Sequence, residues 1–351
     1  GSQSYGHKEA QKRMSSLTKQ QIAALGSAAP FIFHESFASL HSTASQHNIF
    51  DDEEEQSFAE FLGMGQHEPD ERGRGRWQLL PSRCTLAVVP VLENFTSPKV
   101  SKKAGTAQTH RVEAVANVLR AFLGLQVEML PELRVSTSQG KNRKRSKSKH
   151  SVTYSIEDHN QGVSFPLQHV AAEGSHGDEG VDVFSLLKVA EEYVGPSHFA
   201  VLFLVELPLV EEVEGDDATE VSQVSGRATG DRVCCVDMRG SLREVLLTAA
   251  HETLHTLGVE HCVTWACLMN SLQHDSQTDP LHLSPLNLRK LLLMHSELRE
   301  KKAGRQEWDE FAFVCERYRK LAEVLGSLGL VDDAERSVAL LRAAEAATAS
   351  V

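Results

Sequence analysis

Three histidines and one glutamate stand at spacings that suit hydrolytic metal chemistry: His251, Glu252, His255 and His261, in the run His251-Glu252-Thr253-Leu254-His255-Thr256-Leu257-Gly258-Val259-Glu260-His261. Residues four apart on a helix lie one turn above each other on one face, so His251 and His255 can present their imidazoles to a single metal ion. Glu252 falls about 100° further round by the helical period. That offset keeps its carboxylate off the metal, yet near enough to take a proton from a metal-bound water, which is the work of a general base. Gly258 can adopt the positive φ that ends a helix and reverses the chain, and the reversal delivers His261 as a third nitrogen ligand. Three protein ligands leave the fourth zinc position to water, which separates a catalytic zinc site from a closed structural one. Zinc lowers the pKa of that water from about 15.7 to about 7, so hydroxide is available at neutral pH.

A bare HExxH occurs by chance on ordinary helices. Gly258 and His261 in register extend it to the metzincin pattern. Met269 follows eight residues after His261, in Cys267-Leu268-Met269-Asn270, where that clan places a methionine turn; on its own it would read as a core methionine. The whole run, HETLHTLGVEHCVTWACLMN, resembles the archaemetzincins. The resemblance implies one catalytic zinc on His251, His255 and His261 with Glu252 as the base. It also implies a second, structural zinc held by Cys262, Cys267 and two cysteines of a C-P-x-C-L-R-K-L-like segment. Here that segment reads Ser284-Pro285-Leu286-Asn287-Leu288-Arg289-Lys290-Leu291, so the flank matches and both ligands are replaced. Weaker likeness runs over about residues 80 to 345. It takes in Cys84 to Val91 as the family's first strand, Phe122 to Leu125 with Met129 to Pro131 as a helix-to-strand passage, and the helical C-terminal end. The family's substrate-binding edge strand corresponds to Val224-Ser225-Gly226-Arg227-Ala228.

Serine and asparagine are poor zinc ligands, and two thiolates alone do not hold a tetrahedral site. His274 or His282, between the methionine turn and the degenerate segment, could complete a Cys2His2 set by count. The simpler expectation is that Cys262 and Cys267 are reduced thiols in a C-terminal core, with hydrophobic packing in place of a second metal.

The elements that must position these groups alternate from Cys84 onward. Strands are expected over 84–92, near 126–130, over the apolar run Phe199–Leu207, which suits a central parallel strand, over Val221–Ala228 and over Arg232–Met238. Helices are expected over 110–124, Val181–Tyr193, Leu286–Lys302, Glu307–Leu325 and Asp332–Ala347. The motif helix should begin near Leu242, because Ser241 with Glu244 three residues on forms a capping box. On its wheel, Leu242, Val245, Leu246, Ala249, Ala250, Leu254 and Leu257 share an apolar face, and Glu244, Thr248, His251, Glu252 and His255 lie on the other. The acidic stretch Glu211–Glu220 reads as a loop. The fold class is α/β of the α+β kind: a metzincin-like mixed, twisted sheet carries the active-site helix and precedes a mainly helical C-terminal subdomain. Residues 1–75 form a partly ordered N-terminal extension with a short helix over Leu17–Leu25 and an acidic run over Asp51–Glu55. An upper catalytic subdomain spans 76–261 and a lower one, with the methionine turn, 262–351.

At 351 residues the chain has ample material for a core. No run reaches the eighteen or so apolar residues of a membrane-spanning helix, and no charged-then-apolar leader opens the chain. Its six cysteines show no dense disulfide spacing, so an intracellular, cytoplasmic location is expected, with nuclear entry left open. The basic run Lys141–Lys149 would suit nuclear localisation or nucleic acid. No aromatic residues interleave with its charges and the net charge is −12, so it reads as an insertion between strands, and neither nucleic acid nor membrane is an expected partner.

The expected function is zinc-dependent hydrolysis of peptide bonds by a monomeric metallopeptidase. Its substrate would be a peptide or protein, with short peptides or N-terminal residues as candidates, laid along the edge strand 224–228. The acidic stretch could favour a basic peptide or a free amino terminus, or serve as a solvated surface loop. The alternative is a catalytically weak or inactive zinc-binding protein that serves interaction or regulation. A retained Glu252 speaks for the enzyme, because a purely structural site needs no base.

Overall fold

The computed structural model describes residues 56, 58–64, 79–93, 98–139, 152–171, 179–214, 219–230, 232–262, 265–270, 280–303 and 308–348. The helix expected over Leu17–Leu25, the acidic run Asp51–Glu55, the basic run 141–149 and His274 lie outside them. The fold is mixed α/β, of the α+β kind, and forms two compact units. One comprises Thr85–Ala116 with Gln126–Thr256, and the other comprises the chain up to Cys84, Asn117–Leu125 and Leu257 onward. Among the described residues, no helix is long and apolar enough to cross a membrane.

In chain order the elements are α1 (Phe58–Met64), β1 (Thr85–Glu93), α2 (Pro98–Leu123), β2 (Gln126–Met129), β3 (Leu133–Gln139), β4 (Val152–Asp158), β5 (Val163–Leu167), β6 (His169–Ala171) and β7 (Glu179–Asp182). There follow α3 (Val183–Glu191), β8 (His198–Val205), β9 (Leu209–Glu214), β10 (Thr219–Val224), β11 (Gly226–Thr229), β12 (Val233–Asp237), α4 (Leu242–His255), α5 (Pro285–Ala303), α6 (Glu310–Ser327) and α7 (Val331–Thr348).

The sheet unit has a main sheet in the order β11-β12-β8-β1-β3-β4-β5, with β2 pairing beside β3 along the same side of β1. Strands β12, β8, β1, β2 and β3 run parallel, while β11 at one end and β4 and β5 at the other are antiparallel to their neighbours. Every residue of β8 is buried, as expected of a central parallel strand whose two faces are both covered. Alternate residues point to opposite faces. Ala87, Val89, Val201, Phe203, Val233 and Cys235 pack with Leu186, Leu187 and Ala190 of α3. On the other face Cys234 meets Thr253 of α4. A second sheet of four strands has the order β10-β9-β7-β6.

Several expectations change here. The acidic stretch 211–220 is not a loop as a whole: β9 and β10 pair antiparallel from Leu209↔Val224 to Glu214↔Thr219 and form a hairpin. The single strand expected over Val221–Ala228 is two strands, broken at Ser225. Val224 ends β10 in the small sheet, while Gly226, Arg227 and Ala228 belong to β11 in the main one. Helix α2 begins at Pro98, twelve residues before the expected start at 110. A proline is well tolerated at a first helical position, where its missing N–H has no helical acceptor. The expected helix over Val181–Tyr193 starts at Val183 because β7 runs up to Asp182, whose carboxylate accepts the Ser185 N–H at 2.7 Å and caps α3. Strands β3 to β7 and the short helix α1 were not anticipated.

The helical unit pairs α6 with α7 across a turn in which Gly329 has φ +76° and Leu330 N–H returns to Leu325 O at 3.0 Å. The last two turns of α2, from Asn117, also belong to this unit. A helix end leaves carbonyls without helical donors. Here Arg317 Nε donates to Phe122 O at 2.7 Å, and His295 Nε2 donates to Leu123 O at 2.7 Å. The Arg317 guanidinium lies over the Phe122 and Tyr318 rings, with centroids at 4.6 and 5.0 Å.

Candidate metal centre

Helix α4 starts where the sequence says it must. Ser241 Oγ accepts the Glu244 N–H at 3.2 Å, and the Glu244 carboxylate accepts the Ser241 N–H, which completes the capping box. From Val245 to Leu254 every residue is buried, including Thr248, His251 and Glu252, while Glu244 and His255 at the two ends of the polar stripe are half-buried. Thr253 Oγ1 donates to Ala249 O and Thr256 Oγ1 to Thr253 O, both at 2.7 Å, which satisfies hydroxyls that would otherwise be costly to bury. Gly258 then takes φ +75°, the left-handed conformation that glycine reaches without strain.

His251 and His255 bring Nε2 atoms to 2.9 Å from each other, with ring planes at 80°. His261 joins them: one ring nitrogen from each of the three histidines lies within 4.8 Å of the others. A tetrahedral zinc with nitrogens at about 2.0–2.1 Å sets ligand nitrogens roughly 3.3 Å apart, a separation that three nitrogens all within 4.8 Å of one another can meet with small side-chain adjustments. The donor set therefore fits a metal ion. Three imidazoles suit zinc, copper, iron or nickel, so the geometry alone leaves the element open.

Glu252, on the same helix as His251 and His255, is buried, and burial pushes its carboxyl up to about 8, with the Arg227 guanidinium pulling it down and Glu211 adding to the rise. A cation at the histidines acts in the same direction as Arg227. Arg227 and Glu211 form an ion pair through both Nε, at 3.0 Å, and a terminal guanidinium nitrogen. Gly226 touches this ensemble. A Cβ there would stand 3.0 Å from Glu252 Cγ, 3.0 Å from Cys235 O and 2.6 Å from Thr248 Cγ2. Of the expected substrate strand, Gly226, Arg227 and Ala228 thus form the outer strand of the main sheet. Ser225 links across to β12 by accepting the Asp237 N–H at 2.8 Å, and Val224 packs against the core. Glu211 was missed by sequence reasoning because its partner Arg227 is sixteen residues away and no local pattern joins them.

Met269 is fully buried, and its carbonyl accepts the Cys262 N–H at 2.6 Å, so the turn is tied to the residue after His261. Cys262 and Cys267 are buried and reduced. Asn270 closes the segment: Nδ2 donates to Cys262 O at 2.6 Å and Trp265 O at 2.9 Å, and Oδ1 accepts the Cys267 N–H at 2.8 Å. Ser284 accepts the Asn287 N–H at 3.2 Å immediately before α5, which makes it that helix's N-cap with Pro285 at the first helical position. Among the described residues, the three histidines are the one group of three such side chains close enough to share an ion.

No family model and no curated protein matches this chain. The likeness to the archaemetzincins accordingly stands on the motif residues themselves.

Proposed function

We propose that the protein is a zinc-dependent metallopeptidase of archaemetzincin type, with a metzincin-like sheet, in which His251, His255 and His261 hold the ion and Glu252 is the general base. The observation that carries this reading is the convergence of three imidazole nitrogens, two of them from α4, the helix that also carries the buried Glu252. When bound, the ion supplies Lewis acidity to the scissile carbonyl and acidifies the attacking water. Glu252 takes a proton from that water as its oxygen bonds to the carbonyl carbon. It then delivers the proton to the departing amine as the C–N bond breaks. Burial favours the protonated carboxyl, which suits the second half of this exchange. Strand β11, at the end of the main sheet, offers its backbone to an extended peptide, and such pairing binds with little regard to side-chain identity.

Glu252→Ala is the test. The variant is expected to keep its metal and to lose about 10²–10⁴-fold in hydrolysis of a mixture of unstructured peptides, followed by mass spectrometry. Hydrolysis that survives with metal in place would remove Glu252 as the base. A metal-loaded native chain that cleaves nothing would favour a binding protein built on the same site.

A further inference from the structure

Lys290, on α5, is fully buried, and its ammonium donates to two oxygens of one residue: Gln56 O at 3.1 Å and Gln56 Oε1 at 2.8 Å. An ammonium only donates, so this contact fixes which end of the Gln56 amide is oxygen. The nitrogen end then faces Gly258 O and Met64 Sδ, donating to each at 3.0 Å, while Oε1 also accepts the Glu260 N–H at 3.4 Å. The amide thus spans Val259, engaging the carbonyl before it and the N–H after it, much as a neighbouring β-strand would. The next residue is His261.

The helix that follows Gln56 adds to the anchor. Phe58 and Phe61 of α1 lie with ring centroids 5.8 Å from the Arg289 guanidinium and 5.6 Å from the Lys290 ammonium. The Arg289-Lys290 pair of the degenerate segment therefore holds this N-terminal stretch in place, whatever has become of the metal ligands beside it.

We propose that Gln56 is a positioning residue for the metal centre, holding the Gly258–Glu260 turn so that His261 presents its imidazole as the third ligand. The inference rests on the reading of His261 as a ligand. It makes Gln56 part of the site's support, so that metal affinity depends on a residue more than two hundred positions from the turn. Outer partners of this kind commonly change metal affinity about 10- to 100-fold when removed.

Gln56→Glu in the full chain separates positioning from folding. A carboxylate keeps acceptors for Lys290 and for the Glu260 N–H and adds charge attraction to Lys290, but it sets an oxygen against Gly258 O. Zinc affinity, measured by chelator competition, is expected to fall at least about tenfold while the thermal midpoint is held, and the absorption of the cobalt-loaded protein is expected to shift. In a His261→Ala background the same substitution should change affinity by less than about twofold, because the residue it acts through is gone. Lys290→Met, which removes the ammonium that orients the amide, should weaken zinc binding in the same direction. Native affinity in Gln56→Glu, or an undiminished penalty in the His261→Ala background, would overturn the positioning role and leave the metal site standing. A native chain that takes up no zinc would overturn the metal reading and this inference together, before any substitution is compared.

Discussion

At the histidine centre three ring nitrogens lie within 4.8 Å of one another, whereas along Cys262–Asn287 two buried thiols are accompanied by an asparagine and a serine that hydrogen-bond the backbone. The difference shows how short polar side chains can hold a loop where no cluster of ligands converges. Asn270 bonds two carbonyls and one N–H of the turn, and Ser284 caps α5. Hydrogen bonds from short polar side chains thus do locally what an ion would do from a distance. Arg289 and Lys290 have a separate task, since they carry α1 and Gln56.

The largest expected effect is at the histidines. His255→Ala should reduce zinc per chain from about one to near zero by elemental analysis, since two imidazoles bind far more weakly than three. An ion that survives the substitution would mean that the cysteine segment also binds metal and would erase the contrast. Asn270→Ala should leave metal content unchanged while costing about 2–4 kcal/mol of stability in urea unfolding, because three buried backbone groups each lose a hydrogen bond. Acid should act on the helical unit through His295. Burial lowers this histidine to about 4, its bond to Leu123 O partly opposes that shift, and the Arg299 and Arg317 cations reinforce it. A depressed base contributes stability above its unfolded value of about 6.5, and that contribution, on the order of 3 kcal/mol, is lost as pH falls toward about 4. His295→Gln should flatten this slope of stability against pH. The smallest effect is at Ser284→Ala, which should cost about 1 kcal/mol through the lost cap and leave zinc untouched.

What could be read from the sequence is what is locally encoded. The capping box at Ser241, the apolar period of α4, the continuous apolar run of β8 and the glycine at 258 each depend on residues within a turn or two of one another, and the structure places all four as expected. The β9–β10 hairpin was hidden because its charged residues mimic a loop; Glu211 finds Arg227, and Glu212 is exposed. The first turns of α2 were hidden because Ser101 to Gln108 contain too few apolar residues to show a helical period. Gln56, Lys290 and Gly258 meet across intervals of 202 and 234 residues, which no spacing rule can reach.

Gly226 leaves no room for a side chain between the outer strand and the motif helix. The two elements are therefore machined to a single tolerance. A methyl group at 226 would wedge them apart and shift Thr248 and Glu252 together, so the strand that would read the substrate and the carboxylate that would take the water's proton cannot be altered independently of each other.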